Sequence, residues 1–305
     1  MKQPILSIVI PTRDNIEVLR DGFLKSFIHN TSDVNNVELI FVVDKDDKKT
    51  IDFISNEKLL KRLAFFQLLI RERSINLTED YYNYGARKSS SFFVMPGADD
   101  IQIDTPDYDL ILIKTREGLI KSEGLNKKHY LLIRTYGEGN KGGEGYCCFP
   151  ILTKASVDLL GYFLAPSTIP GWGADYHIDK IYNTLNRIAA TKPVINITQW
   201  SCHSNLKEPS ARDRENYNRM VNIINPSGLN CREHPRLVLE ILTAIHSIVT
   251  ETMENYTPPD LWKAYESARV INESVKGAAP GTRCPDIFLK ILWSIQQTLH
   301  DNLNT

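Results

Sequence analysis

Three short, almost uninterrupted apolar runs constrain this chain more than anything else in it: Ile5 to Ile10, Val37 to Val43 and Phe92 to Met95. A strand with one wet face alternates apolar and polar side chains. These runs do not alternate. They read as strands buried on both faces, the kind found in parallel sheets covered by helices. The segments between them agree. Ile16, Leu19, Phe23 and Phe27 recur at helical spacing, and Ile51 to Leu63 reads as a second helix. Ala64 to Ile70 reads as a further strand, and Thr78 to Lys88 as a helix with Thr78 as its N-cap. Strands alternating with helices imply right-handed crossovers and an α/β architecture, a mostly parallel, Rossmann-like sheet flanked by helices.

Such a sheet binds its ligands beyond the carboxyl ends of its strands. Polar residues gather at those ends. Thr12, Arg13 and Asp14 follow the first strand, Asp44 ends the second, Arg71 and Arg73 follow the third, and Asp99 and Asp100 follow the fourth. Adjacent carboxylates at a strand end suit Mn2+ or Mg2+, which take oxygen ligands and often share them with substrate phosphates. With arginines close by, the ligand expected is a diphosphate. No GxGxxG follows the first strand and no GxxxxGK[ST] occurs, so dinucleotide and P-loop readings lose their main support. The formal net charge of -1 argues against a nucleic-acid partner. Five cysteines without CxxC spacing point to neither a disulfide framework nor a zinc site. A reducing, cytoplasmic setting is expected, and no apolar stretch reaches the length of a membrane span.

In the second half, Leu110 to Lys114 and Tyr130 to Arg134 read as two strands of a long hairpin. The glycine-rich stretch 137–145 is expected to be a loop over an acceptor site or a plain connector. Residues 169–179, IPGWGADYHID, form the second stretch that carries chemistry. Pro170 and Gly171 set a tight turn, and Trp172 offers a flat face on which a sugar ring can stack. Asp175 opens a helix, either as a cap or as the acceptor of a hydroxyl proton, and Asp179 lies one helical turn on. Lys192 to Thr198 reads as a last strand, with His203 shortly after it.

The first half resembles the family 2-type glycosyltransferases of the GT-A fold. The resemblance rests on SIVIPTRDN, LIFVVD and NYGARKSSSFFVMPGADD, within residues 5–104. The first acid of a strict Asp-x-Asp signature falls on Gly97, so Asp99 takes the main metal-ligand role and Asp100 a secondary one. By the resemblance, Pro11, Thr12, Arg13 and Asp44 line the base and ribose pocket, where Asp44 suits the imide N–H of a uracil-type ring. Asn83, Arg87 and Ala98 complete the donor side near the diphosphate. Gly161-Tyr162-Phe163 followed by Gly171-Trp172-Gly173-Ala174-Asp175 resembles the family's acceptor motif, in which Asp175 stands as the base with Asp179 as runner-up. Trp172 and Gly173 would meet the acceptor. His203 resembles the histidine that completes the cation site, with His177 as its rival.

The resemblance implies a metal-dependent hexosyl- or pentosyltransferase. It would move a sugar from a nucleotide-diphosphate donor, UDP-type favoured, to a glycan or glycoconjugate hydroxyl with inversion. The alternatives are a sugar-phosphate nucleotidyltransferase and a non-catalytic nucleotide- or glycan-binding module. Residues 1–215 are expected to be the catalytic domain, with 1–104 as the donor half and 105–215 as the acceptor half. Residues 216–305 are expected to be a helical appendage with apolar stripes, packed on the main domain or used for self-association.

Overall fold

A computed structural model describes residues 3–124, 128–137, 147–166, 174–185, 187–189, 191–199 and 235–252. The described strands are β1 (Leu6–Thr12), β2 (Val37–Asp44), β3 (Phe66–Arg71), β4 (Phe93–Pro96), β5 (Ile101–Ile103), β6 (Leu132–Ile133), β7 (Ile151–Thr153), β8 (Ile188–Ala189) and β9 (Ile197–Gln199). Seven of them form one sheet in the order β3-β2-β1-β4-β7-β6-β8, and β5 pairs with β9 in a small separate ribbon. β3, β2, β1 and β4 are mutually parallel, and β7 alone runs against its neighbours β4 and β6. The expected α/β architecture with a mostly parallel sheet is what the chain adopts.

The continuous apolar runs explain the centre of this sheet. All eight residues of β2 are buried, as are six of the seven in β1. Alternate side chains serve opposite faces. Leu6, Ile8, Ile10, Leu39, Phe41 and Val43 pack with Leu19, Phe23 and Phe27 from the helical stretch 16–30. Val9 and Val42 point the other way, toward the helical stretch 78–88. There Gly85 comes so close that a Cβ would lie 2.4 Å from a methyl of Val9. Helices therefore cover both faces, which is why neither face of β1 or β2 alternates.

Two readings change. Leu110 to Lys114 is not a strand but part of the helix Tyr108–Glu123, so no hairpin joins it to the run at 130–134. Buried Asp109 holds the start of this helix to the 32–36 turn, accepting from the backbone of Ser32 and Asp33 and from the Asn36 side chain. A short apolar run cannot by itself distinguish a strand from a buried helical face. The Tyr130 run supplies β6, which pairs instead with β7 and β8. The cap of the 78–88 stretch is also not Thr78. Asn76 fills that place, its Oδ1 accepting from the Glu79 N–H at 3.1 Å.

Contacts along the chain divide it into two compact units, Met1–Asp179 with Arg187–Glu208, and Lys180–Asn186 with Pro209–Thr305. In the second, the helix Pro235–Thr252 buries Ile241, Ala244, Ile245, Ile248 and Val249 along one stripe, as the sequence spacing predicts. The other expected helices of the C-terminal region, and most of the glycine-rich stretch, lie outside the described residues.

Candidate active site

The site is built where β1, β2 and β4 end side by side. After β1 the chain turns sharply. Asp14 adopts a left-handed conformation (φ 50°), and its N–H donates to Asp47 Oδ2 at 2.8 Å. Asp47 also caps the helix Lys48–Asn56 through the N–H of Thr50. This turn sends Arg13 toward the end of β2, while Thr12 and Asn15 face the end of β4.

At the β2 end, the Arg13 guanidinium donates to Asp44 at 2.8 Å and grips Asp46 with two nitrogens, at 2.6 and 3.0 Å. Asp46 holds the guanidinium proton most strongly and Asp44 second, which raises the Arg13 pKa above its ordinary value. Asp44 is 4% exposed. Its second oxygen accepts from the Tyr81 hydroxyl, which in turn accepts from the Ser74 N–H at 2.9 Å. Burial, and then the Asp44 carboxylate, raise the Tyr81 pKa. Arg71 lies over the rings of Tyr81 and Tyr84, 5.0 and 5.7 Å from their centroids, and pairs with Asp80. The result is a polar floor beside an aromatic and guanidinium wall.

At the β4 end, the Thr12 hydroxyl donates to Asp99 Oδ2 at 2.8 Å, and the Asn15 amide to Asp99 Oδ1 at 3.1 Å. These donors are neutral. Burial, with Asp100 as a like charge beside it, pushes Asp99 up to about 6. Gly97 explains the missing first acid of the signature. A Cβ there would sit 2.7 Å from a methyl of Ile8 and 3.1 Å from Ile10. The Gly97 N–H donates to Val9 O, and its carbonyl accepts from the Tyr82 hydroxyl, both at 2.8 Å. Burial raises the Tyr82 pKa, and the charges of Asp99, Asp100 and Asp175 add to that. Three predicted acids from two separate elements therefore act on one phenol.

Asp175 lies in the first turn of the helix Ala174–Thr184. Asp179, the runner-up, accepts from Arg134 Nε at 3.1 Å and from Arg134 Nη2 at 2.8 Å to each oxygen. Asn83 is fully buried and its amide is fully used. It donates to Glu79 and to Leu164 O, and it accepts from the N–H groups of Phe163 and Leu164. Arg87 pairs with Glu79 at 2.9 Å. Pro11 pairs across β1 and β2 with Val42, and Ala98 packs against the main core. His177 is buried with its ring tilted against Tyr162. Trp172, Gly173 and His203 lie outside the described residues.

Asn15, Asp46, Tyr81 and Tyr82 are the site residues that sequence reasoning missed. Asn15 was in reach, since it sits inside the loop after the first strand. The tyrosines were not, because residues Thr78–Asn83 form a π-helical turn that breaks the 3.6-residue phase used to assign faces.

No protein-family model matches this sequence, and no curated protein is similar enough to be matched. Solved structures do match across nearly the whole chain. S. aureus TarS 1-349 is 14% identical with a TM-score of 0.50, covering 97% of this chain and 86% of its own. The mannosyltransferase PcManGT from Pyrobaculum calidifontis, solved in complex with GDP-Man and Mn2+, is 10% identical with a TM-score of 0.51. That match covers 98% of this chain and 86% of PcManGT. The chain has the GT-A fold. The GT-A sheet accounts for the position of the site, since its parallel strands bring Thr12, Asp44 and Asp99 to one edge. At these identities the shared property is the fold, and the chemistry rests on the side chains at that edge.

Proposed function

We propose that this chain is a glycosyltransferase that moves a sugar from a nucleotide-diphosphate donor to an acceptor hydroxyl. One observation carries the reading. A buried Asp44 held by Arg13 and Tyr81 stands beside an acidic turn in which Asp99 is met by a hydroxyl and an amide. The first suits the N–H edge of a base such as uracil, and the second suits a cation carried with a diphosphate. Among the described residues no group of three His, Cys, Asp or Glu gathers around one point. Asp99 and Asp100 would hold Mn2+ or Mg2+ together with phosphate oxygens, and His203 would join them. A divalent cation there offsets charge on the leaving nucleotide. PcManGT, with GDP-Man and Mn2+, supports a nucleotide sugar and a cation for a site of this fold.

The chain's own residues supply the rest. Pro11, Thr12, Arg13 and Asp44 hold the nucleoside. Arg87, Ala98 and, through its buried clamp, Asn83 shape the diphosphate side. Trp172 and Gly173 receive a glycan or glycoconjugate. Asp175 takes the acceptor proton as the hydroxyl attacks the anomeric carbon in line, which gives inversion, and Asp179 stays paired with Arg134. Residues 1–215 would form the catalytic domain and 216–305 a separate helical region. A cytoplasmic setting would suit five cysteines without CxxC spacing. Among the described residues no helix is long and apolar enough to cross a membrane.

The test is a thermal-shift panel of UDP, GDP and their sugars with and without Mn2+. A rise that needs both the metal and one of the nucleotides is expected. Pyrophosphate release from a nucleoside triphosphate would point to a nucleotidyltransferase, and donor binding without transfer to a non-catalytic module. Asp175→Asn should lower transfer by about 10²- to 10⁴-fold while donor affinity stays within about twofold. A variant that keeps most of its activity removes Asp175 from the base role.

A further inference from the structure

Three consecutive residues of the π-helical turn Thr78–Asn83 reach three different parts of the site. Tyr81 donates to Asp44 in the base pocket. Tyr82 donates to Gly97 O at 2.8 Å, in the turn that carries Asp99 and Asp100. Asn83 clamps Phe163 and Leu164, on the segment that leads toward Asp175. In a regular α-helix, neighbours point about 100° apart. The wider π turn narrows that spread only slightly, so the three side chains reach separate partners, and such turns recur at functional sites.

Tyr82 is the member with no role assigned so far. We propose that Tyr82 is a positioning residue that fixes the cation-binding turn. The proposal rests on the glycosyltransferase reading and deepens it. Gly97 is held from two sides, by Val9 O below and by the Tyr82 hydroxyl above, and no side chain fits at 97 to do the same work. Asp99 is two residues on, and its own ties to Thr12 and Asn15 come from the opposite side, the loop after β1. The turn is thus gripped between β1 and the 78–88 helical stretch. Without the phenol, the turn loses its tie from Tyr82 to the Gly97 carbonyl, and both carboxylates can drift from the place where a cation would be shared with a diphosphate. The phenol also sits in the field of Asp99, Asp100 and Asp175, which keeps its proton in place as a donor.

The test uses the full chain, UDP and GDP as probes, and Mn2+. Tyr82→Phe removes one oxygen and keeps the ring. Metal-free nucleotide binding should stay within about twofold of wild type. The extra affinity that Mn2+ gives should fall about fivefold to tenfold, the equivalent of one lost hydrogen bond at the turn. Tyr81→Phe serves as the opposite case, with weaker metal-free binding and an unchanged Mn2+ increment. If Tyr82→Phe lowers only the melting temperature and keeps the full Mn2+ increment, the residue is merely structural and the proposal falls. If wild type shows no Mn2+ increment with either nucleotide, the glycosyltransferase reading falls first and takes this proposal with it.

Discussion

Asp44 and Asp99 stand at the ends of β2 and β4, the two strands that flank β1, and the loop after β1 touches both. Their surroundings differ in one respect. Asp44 meets a guanidinium, whereas Asp99 meets a hydroxyl and an amide and has Asp100 beside it. The first charge is balanced by the chain itself. The second meets neutral donors, and burial pushes Asp99 up to about 6; in the proposed function a cation that arrives with the ligand would balance it. One loop thus gives Asp44 a charged partner on one side and Asp99 neutral ones on the other.

The comparison breaks most sharply at Asp99. Asp99→Asn should lower transfer by about a thousandfold, the scale of a lost metal ligand, in assays run with saturating Mn2+. The same variant should stabilise the ligand-free fold at pH 7.5. Because the folded carboxyl keeps its proton up to about 6 against an ordinary 3.8, its ionised form costs stability above that range. The cost is at most about 3 kcal/mol for two pKa units. The gain in melting temperature from Asp99→Asn should therefore shrink as pH falls through 6 and vanish near the ordinary carboxylate range. A gain independent of pH would mean that Asp99 is not the strained acid.

Next in size is the pH dependence of binding. Protonation of Asp99 competes with the cation, so the Mn2+ increment in nucleotide affinity should fall about tenfold per pH unit below 6. Metal-free binding at Asp44 should not follow it, and calorimetry at pH 7.5 and 5.0 separates the two. Arg13→Ala should weaken metal-free nucleotide binding about fivefold, since Asp44 keeps Tyr81 but loses its counter-charge. A larger loss of the Mn2+ increment than of base affinity would erase the distinction between the two acids. The smallest effect belongs to Asp46→Asn. Asp46 is exposed, and its pair with Arg13 should be worth less than about twofold in affinity, a difference that disappears at high salt.

Residues 5–104 were more legible than residues 105–199. β1 and β2 announce themselves because burial on both faces removes alternation, and their carboxyl ends then mark the site without further information. Asn15 was in reach as part of the loop after β1, though its contact with Asp99 depends on a left-handed turn at Asp14, whereas Tyr81 and Tyr82 were hidden by a π turn at Thr78–Asn83. Neither leaves a periodic trace. Leu110 to Lys114 misled because a short apolar run fits a strand as well as the buried face of a helix. Asn83 looked like a donor contact by motif, but in the fold its amide is committed to Phe163 and Leu164.

The sequence by itself determined a mostly parallel α/β sheet and the acids Asp44, Asp99 and Asp100 at or just past its strand ends, on which, with Asp175, the proposed chemistry rests. Those follow from local periodicity and from residue type, which the chain carries in order. Tertiary structure decided which acid receives Arg13 and which is left with neutral donors, why position 97 holds no acid, and which phenol secures the turn. These are matters of contact between residues 15, 31 and 87 positions apart in sequence, and contact at that separation is set by packing rather than by local periodicity.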